Sequence, residues 1–133
     1  QAIQDKPITI YGNGNQTRSF QYVDDLVDGL IALMNSNVTS PVNLGNPEEH
    51  TIAEFARIIK EAVGSKSKIE QFDAAVDDPR QRKPDITKAA ELLEWQPKVT
   101  MSDGILKTID YFRQEIKNEK VKKENDKMDL GYE

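Results

Sequence analysis

The stretch Pro7-Ile8-Thr9-Ile10-Tyr11-Gly12-Asn13-Gly14-Asn15, followed at 23–34 by VDDLVDGLIALM, decides the fold class. In the first string the apolar residues alternate and are β-branched or aromatic, which favours a short strand. The Gly-Asn-Gly-Asn run after it is a turn by composition. In the second string the period changes. Val23, Leu26, Val27, Leu30, Ile31 and Met34 fall at i, i+3, i+4, i+7, i+8 and i+11, one face of a helix that needs a sheet or another helix to cover it.

The same alternation runs outward from there. Pro41 to Leu44 is a second short apolar stretch, stopped by Gly45-Asn46-Pro47. Thr51 to Val63 reads as a helix, with Thr51 and Glu54 as a capping box and Gly64 at the C-terminal position. Ile52, Phe55, Ala56, Ile59 and Val63 make its buried stripe. Lys68 to Phe72 reads as a third strand and Asp73 to Pro84 as a polar loop. Ile86 to Leu93 is a short helix closed by Trp95-Gln96-Pro97, with Trp95 a core plug. Ser102 reads as the cap of a last helix, Met101 and Leu106 as a hydrophobic staple across it, and Ile105, Ile109, Phe112 and Ile116 as its apolar face. The remainder, 117–133, is polar and is expected to be a disordered tail or a frayed helix extension. Strand, helix, strand, helix, strand, helix, helix is an α/β order.

The chain has 133 residues, room for one domain but not for an enzyme with its own cofactor fold. With 23 acidic against 18 basic residues its net charge is −5, which argues against nucleic acid as a partner. There is no Cys for a disulfide, thiolate site or nucleophile, and one His cannot build a His-rich metal site. No metal site is expected. No apolar run approaches the roughly 18 residues of a membrane span. The opening Gln1 to Lys6 has no initiator Met and reads as a cut rather than a natural start.

Neither a G-x-G-x-x-G turn nor a P-loop is present. His50, in a Pro- and Glu-rich stretch, reads as an exposed loop residue rather than a base. Tyr11 to Phe20 is the richest segment: two glycines let backbone approach a ligand, Arg18 can grip phosphate or carboxylate through paired hydrogen bonds, and Tyr11 can lie against a flat base. The plain reading is an ordinary turn with an exposed Arg. Asp77 to Asp85 holds Arg80, Arg82 and Lys83 within four residues, bounded by Pro79 and Pro84. A solvated charged loop is the default there, an Arg aimed at an anion the sharper alternative. Paired acids such as Asp24/Asp25 or Asp77/Asp78 could suggest Mg²⁺, but adjacent residues on a helix do not share a face, so Asp24/Asp25 reads as solvated surface. Two sequons, at Asn15 and Asn37, matter only in a secretory protein.

YGNGNQTRSFQYVDD (Tyr11 to Asp25), PVNLGNPEEHTIAEFA (Pro41 to Ala56), DDPRQRKPDITKA (Asp77 to Ala89) and WQPKV (Trp95 to Val99) together resemble the UDP-glucuronate decarboxylases, or UDP-xylose synthases, of the extended short-chain dehydrogenase/reductases. The resemblance covers residues 6 to 116 in unbroken order. It implies that residues 1–116 are the C-terminal, substrate-binding portion of an extended Rossmann-type nucleotide-sugar enzyme, with 117–133 a polar tail. The NAD-binding half and its Tyr-x-x-x-Lys catalytic pair would lie outside this chain. In the family reaction NAD⁺ takes hydride from C4 of the glucuronate, CO₂ leaves from the β-keto acid, and NADH reduces C4 again. By resemblance Arg18 holds the diphosphate or ribose, Tyr11 and Gln16 surround the nucleoside, and Arg82 lies near the diphosphate and reacting sugar, supporting catalysis. Asn43 is a weaker candidate. The family also implies UDP-glucuronate and UDP-xylose as ligands, a homodimer, and the lumenal side of the Golgi membrane, with cytoplasmic forms as the alternative. A non-catalytic nucleotide-sugar-binding or interaction module, or a related epimerase or dehydratase, are the competing readings.

Overall fold

The computed structural model describes residues 1–129, with side chains through 122. In chain order the elements are a 3-10 turn at Ala2–Gln4, β1 (Ile8–Tyr11), β2 (Thr17–Ser19), α1 (Val23–Met34), β3 (Glu49–Thr51), α2 (Ile52–Val63), β4 (Ile69–Phe72), β5 (Gln81–Arg82), α3 (Thr87–Leu93) and α4 (Met101–Asp129). The α/β class follows the alternating sequence pattern.

Two small sheets form among the described residues. In one, β1 pairs in parallel with β4, Ile8 opposite Ile69 and Tyr11 opposite Phe72. The alternation read in β1 holds: Ile8 and Ile10 point inward while Tyr11 is exposed. They pack with Ala2 and Ala56 into a core flanked by Ile52, Ala53, Ile59, Val63 and Ile69. The stripe of α2 therefore covers this sheet. Thr51 caps α2, its Oγ1 accepting from Glu54 N at 3.1 Å, and Gly64 closes it at φ 71°.

The second sheet has the order β3-β2-β5, with β2 antiparallel to β3 and parallel to β5. None of its strands was expected. They are two or three residues long and mostly polar, too short for a period-2 signal. Conversely, Pro41 to Leu44 is not a strand.

Trp95, 5% exposed, anchors a second packed region. Its Nε1 donates to the carbonyl of Asp25 at 3.0 Å, and Asp25 Oδ2 accepts from Val99 N at 2.9 Å. Asp25 is thus buried, not solvated surface: it joins α1 to the segment after Trp95. Gly29, one turn on, lets the ring lie on the α1 backbone, since a Cβ there would stand 2.9 Å from Trp95 Cε2.

The inner side of α1 is therefore Asp25 and Gly29, and its apolar stripe faces outward. Leu26 is 37% exposed and Met34 82%, with Val23, Val27, Leu30 and Ile31 between. The expected helix is present, but among the described residues nothing covers that face.

At α4 the cap is Thr100 rather than Ser102. Thr100 Oγ1 accepts from Asp103 N at 3.1 Å, so Ser102 sits inside the first turn and the Met101–Leu106 staple loses its geometry; Leu106 is 52% exposed. Ile105 and Ile109 are buried, but Phe112 is 51% exposed. Residues 117–129, read as a disordered tail or frayed extension, continue α4 as helix. Lys and Glu are good helix formers, so a run poor in apolar residues still extends a helix already nucleated. The rest of that segment, 130–133, lies outside the described residues. No described helix is long and apolar enough to cross a membrane.

Candidate functional site

The site begins at the glycine turn between β1 and β2. Gly12 and Gly14 have φ of 77° and 76°, a conformation that favours glycine. Their close approach is not to open ligand space. Gly14 is buried, and a Cβ on it would meet the Cβ of Ala53 at 2.8 Å. Its carbonyl accepts from Ala53 N at 3.0 Å, and the Gln16 carbonyl accepts from Ile52 N at 3.0 Å. With Glu54 N held by Thr51, the first three amides of α2 are all bonded. That end of the helix offers no free donors to an anion.

The turn delivers β2 between β3 and β5. In register, Arg18 stands opposite Arg82 on β5 and opposite His50 on β3. Directly paired residues share a face of a sheet, and neighbouring strands lie about 4.8 Å apart. Arg18 and Arg82 thus come together from distant parts of the sequence and line one open cleft of about 630 Å³, together with Ser19, Asn43, Lys83 and Asp85. Asn43 Nδ2 donates to the Asp85 carbonyl at 3.2 Å, which fixes that wall.

The two guanidinium groups differ in surroundings. Arg18, 19% exposed at its side chain, donates through Nη1 to the carbonyls of Thr17 (2.6 Å) and Pro79 (2.8 Å) and pairs through Nη2 with Asp78. Arg82 is exposed, and its side chain has no ion-pair partner among the described residues. Lys83 lies 3.7 Å from Glu49. Glu49 in turn spans the sheet: Gln81 Nε2 donates to Oε1 at 2.7 Å and Thr17 Oγ1 at 2.9 Å. Those bonds, the Gln81 one foremost, hold its carboxyl below the usual glutamate value.

Gln16 does not line the cleft; its Nε2 lies on the Tyr11 carbonyl (2.7 Å) and 3.3 Å from Asp78 Oδ2. Tyr11 lies on the other sheet, 58% exposed, its ring 6.0 Å from Phe72 at 40°. The structure therefore joins Arg18 and Arg82, links Gln16 to Arg18 through Asp78 and holds Tyr11 apart. Sequence reasoning missed Phe72, placed beside Tyr11 only by the β1–β4 register, and Asp78, weighed there only as half of an acid pair. His50 is corrected as well. It is a half-buried β3 residue with Nε2 3.0 Å from Glu48 Oε1, not an exposed loop side chain.

A second cavity, about 380 Å³, is bounded by Phe20, Tyr22, Phe55, Ile59, Ile105 and Ile109. No Asp, Glu, Lys, Arg or His side chain lines it, so the charged chemistry resides in the Arg18–Arg82 cleft.

Residues 1–108 match the family described as GDP-mannose 4,6 dehydratase. Over 119 residues the chain is 59% identical to UDP-glucuronic acid decarboxylase 1 of Xenopus tropicalis, a match that covers 90% of this chain and 28% of that protein. Among solved structures, UDP-glucose 4-epimerase of Thermotoga maritima with UDP-glucose superposes with a TM-score of 0.83 at 29% identity, over 86% of this chain and 37% of that one. UDP-glucuronic acid 4-epimerase of Bacillus cereus, in complex with UDP-glucuronic acid and NAD, gives 0.79 at 32% identity, over 84% and 37%. The chain thus spans little more than a quarter of the decarboxylase it matches and about a third of each epimerase.

Proposed function

Because this chain belongs to the GDP-mannose 4,6 dehydratase family, we propose that it is the sugar-nucleotide-gripping portion of an NAD-dependent enzyme that converts UDP-glucuronate to UDP-xylose and CO₂. The observation that carries this reading is the meeting of Arg18 and Arg82 on adjacent parallel strands in one cleft. The 59% identity to a UDP-glucuronic acid decarboxylase supports the choice of reaction.

Two cations carried at paired positions of adjacent strands suit a diphosphate, whose charge is spread over neighbouring groups. Arg18, oriented by two carbonyls, serves as the fixed phosphate contact. Arg82, exposed and unpaired among the described residues, keeps its charge for the reacting end of the ligand. When CO₂ leaves a β-keto acid, negative charge moves onto the ketone oxygen, and a nearby cation in place beforehand lowers the barrier. Gln16 and the exposed pair Tyr11 and Phe72 flank the route to the nucleoside.

The described residues of this chain do not fit NAD. The glycine turn packs on Ala53, and the amides at the start of α2 are bonded, so no cradle for a dinucleotide pyrophosphate exists there. The redox chemistry belongs to the remainder of the longer protein, and the outward apolar face of α1 is the surface that remainder covers. A homodimer and a lumenal Golgi location complete the proposal. The exposed Asn37 of its Asn-Val-Thr sequon is compatible with a secretory route.

The test uses the full-length protein, UDP-glucuronate and NAD⁺, with ¹⁴CO₂ release and sugar analysis as readouts. UDP-xylose is expected; an epimerised sugar without CO₂ would move the protein to the epimerases. Arg82→Ala should lower kcat as well as raise KM, with kcat/KM falling about 10- to 150-fold for one charge-assisted contact. An unchanged kcat would reduce Arg82 to uniform binding.

A further inference from the structure

The two polar side chains assigned to the nucleotide are already engaged, and by the same residue. Asp78 sets Oδ1 on Arg18 Nη2 and Oδ2 3.3 Å from Gln16 Nε2. One carboxylate thus occupies with one oxygen the guanidinium assigned to the diphosphate, and with the other the amide assigned beside the nucleoside. Asp78 belongs to the segment 73–80, which is exposed at every residue but Pro79 and turns through Asp77 at φ 68°. Apart from contacts of Asp78, it is held beside β2 by the Pro79 carbonyl on Arg18 Nη1 and the Arg80 carbonyl on Thr17 N (2.9 Å). The contacts of Arg18 with Thr17, Pro79 and Asp78 leave part of its five-donor fork unused, but the side facing Asp78 is filled by negative charge.

We propose that Asp78 is an internal stand-in for the ligand's diphosphate: it holds Arg18 and Gln16 while the cleft is empty and is exchanged for a phosphate when the nucleotide sugar binds. The proposal rests on the reading that Arg18 meets the diphosphate. A carboxylate and a phosphate cannot share these donors without like-charge repulsion, so one must leave. The diphosphate carries more charge and also has Arg82 to draw on, whereas the Asp78 carboxylate bonds only Arg18 and Gln16 among the described residues. A nucleoside without phosphate has nothing to exchange for the carboxylate. Asp78 therefore sets a threshold: it competes with every anion at Arg18 and meets a neutral nucleoside only through the weaker Gln16 contact. It also couples arrival of the ligand to release of the 73–80 segment.

The experiment is calorimetric titration of the full-length protein with UDP and with uridine, in wild type, Asp78→Asn and Arg18→Gln. Breaking a partly exposed ion pair should tighten UDP binding about 2- to 5-fold in Asp78→Asn and leave uridine unchanged. UDP binding that is unchanged or weaker in Asp78→Asn, with Arg18→Gln weakened, overturns the exchange and leaves Asp78 as a residue that orients Arg18. UDP affinity unaltered in Arg18→Gln removes the diphosphate reading and this proposal with it. Amide hydrogen exchange in wild type gives a measurement that needs no variant. Exchange at 75–78 should speed up on saturation with UDP, and slower exchange would show the loop clamping down instead of letting go.

Discussion

The helices α1 and α2 are each twelve residues long, and each carries an apolar stripe at helical spacing. The stripe of α2 covers the β1–β4 sheet, while that of α1 faces away and presents Asp25 and Gly29 to the chain's own interior. A period of 3.6 shows that a face exists; it does not show whether the cover is in the same segment of chain. The odd residues on each helix carry that information. Gly29 within an apolar run marks a close approach, here to Trp95, and Asp25 marks a hydrogen bond across to Val99.

The largest expected effect tests the outward side. The 133-residue chain alone, given UDP-glucuronate and NAD⁺, should release no CO₂ above blank, because α1 leaves an apolar surface bare and, on the proposed reading, the dinucleotide is held by the rest of the protein. Measurable turnover would mean that this portion is self-sufficient. Next comes the inward side. Trp95→Ala removes a buried ring and its hydrogen bond to Asp25, and should cost about 3–5 kcal/mol in urea unfolding. An unchanged midpoint would show that α1 is not held from within. Smaller is the cap of the well-covered helix: Thr51→Ala should lose about 1 kcal/mol. On α1, by contrast, Leu30→Ser should shift the stability of the 133-residue chain by less than about 0.5 kcal/mol, yet lower that of the full-length protein clearly more. Equal shifts in both would erase the contrast between the helices.

The smallest effect concerns pH. Glu49 has a depressed carboxyl in the folded chain, so its contribution is present above its ordinary value of 4.5 and is lost as pH falls through the lower folded value. Glu49→Gln should therefore lower Tm near neutrality, with the gap to wild type narrowing below about pH 4.5. A gap that widens on acidification would reverse the assigned sign.

What the sequence showed clearly was whatever local chemistry enforces. The β-branched alternation of β1, the cap and terminal glycine of α2, and the indole of Trp95 all stand where their residues indicate. What it hid depends on pairing between distant segments. Nothing local in Thr17-Arg18-Ser19 or Gln81-Arg82 reveals that they form adjacent strands, although Arg18 and Arg82 could each be singled out as cations in polar loops. The partners that complete the site, Asp78 against Arg18 and Phe72 against Tyr11, exist only through those registers. The cap of α4 failed for a local reason: Thr100 and Ser102 are both capping residues, and Asp103 lies in reach of only one of them.

The parallel pairing of β1 with β4 also governs the order in which the molecule can assemble. It joins segments some sixty residues apart, the costly closure in this part of the chain. Once Tyr11 and Phe72 are side by side, β2 and β5 are separated from that junction only by the short spans 12–16 and 73–80, and their pairing adds little further loop entropy. The arginine cleft can zip up behind the apolar sheet but has little means of forming ahead of it. Two short polar strands thereby inherit their alignment from Ile8 and Ile10, which lie buried beneath α2.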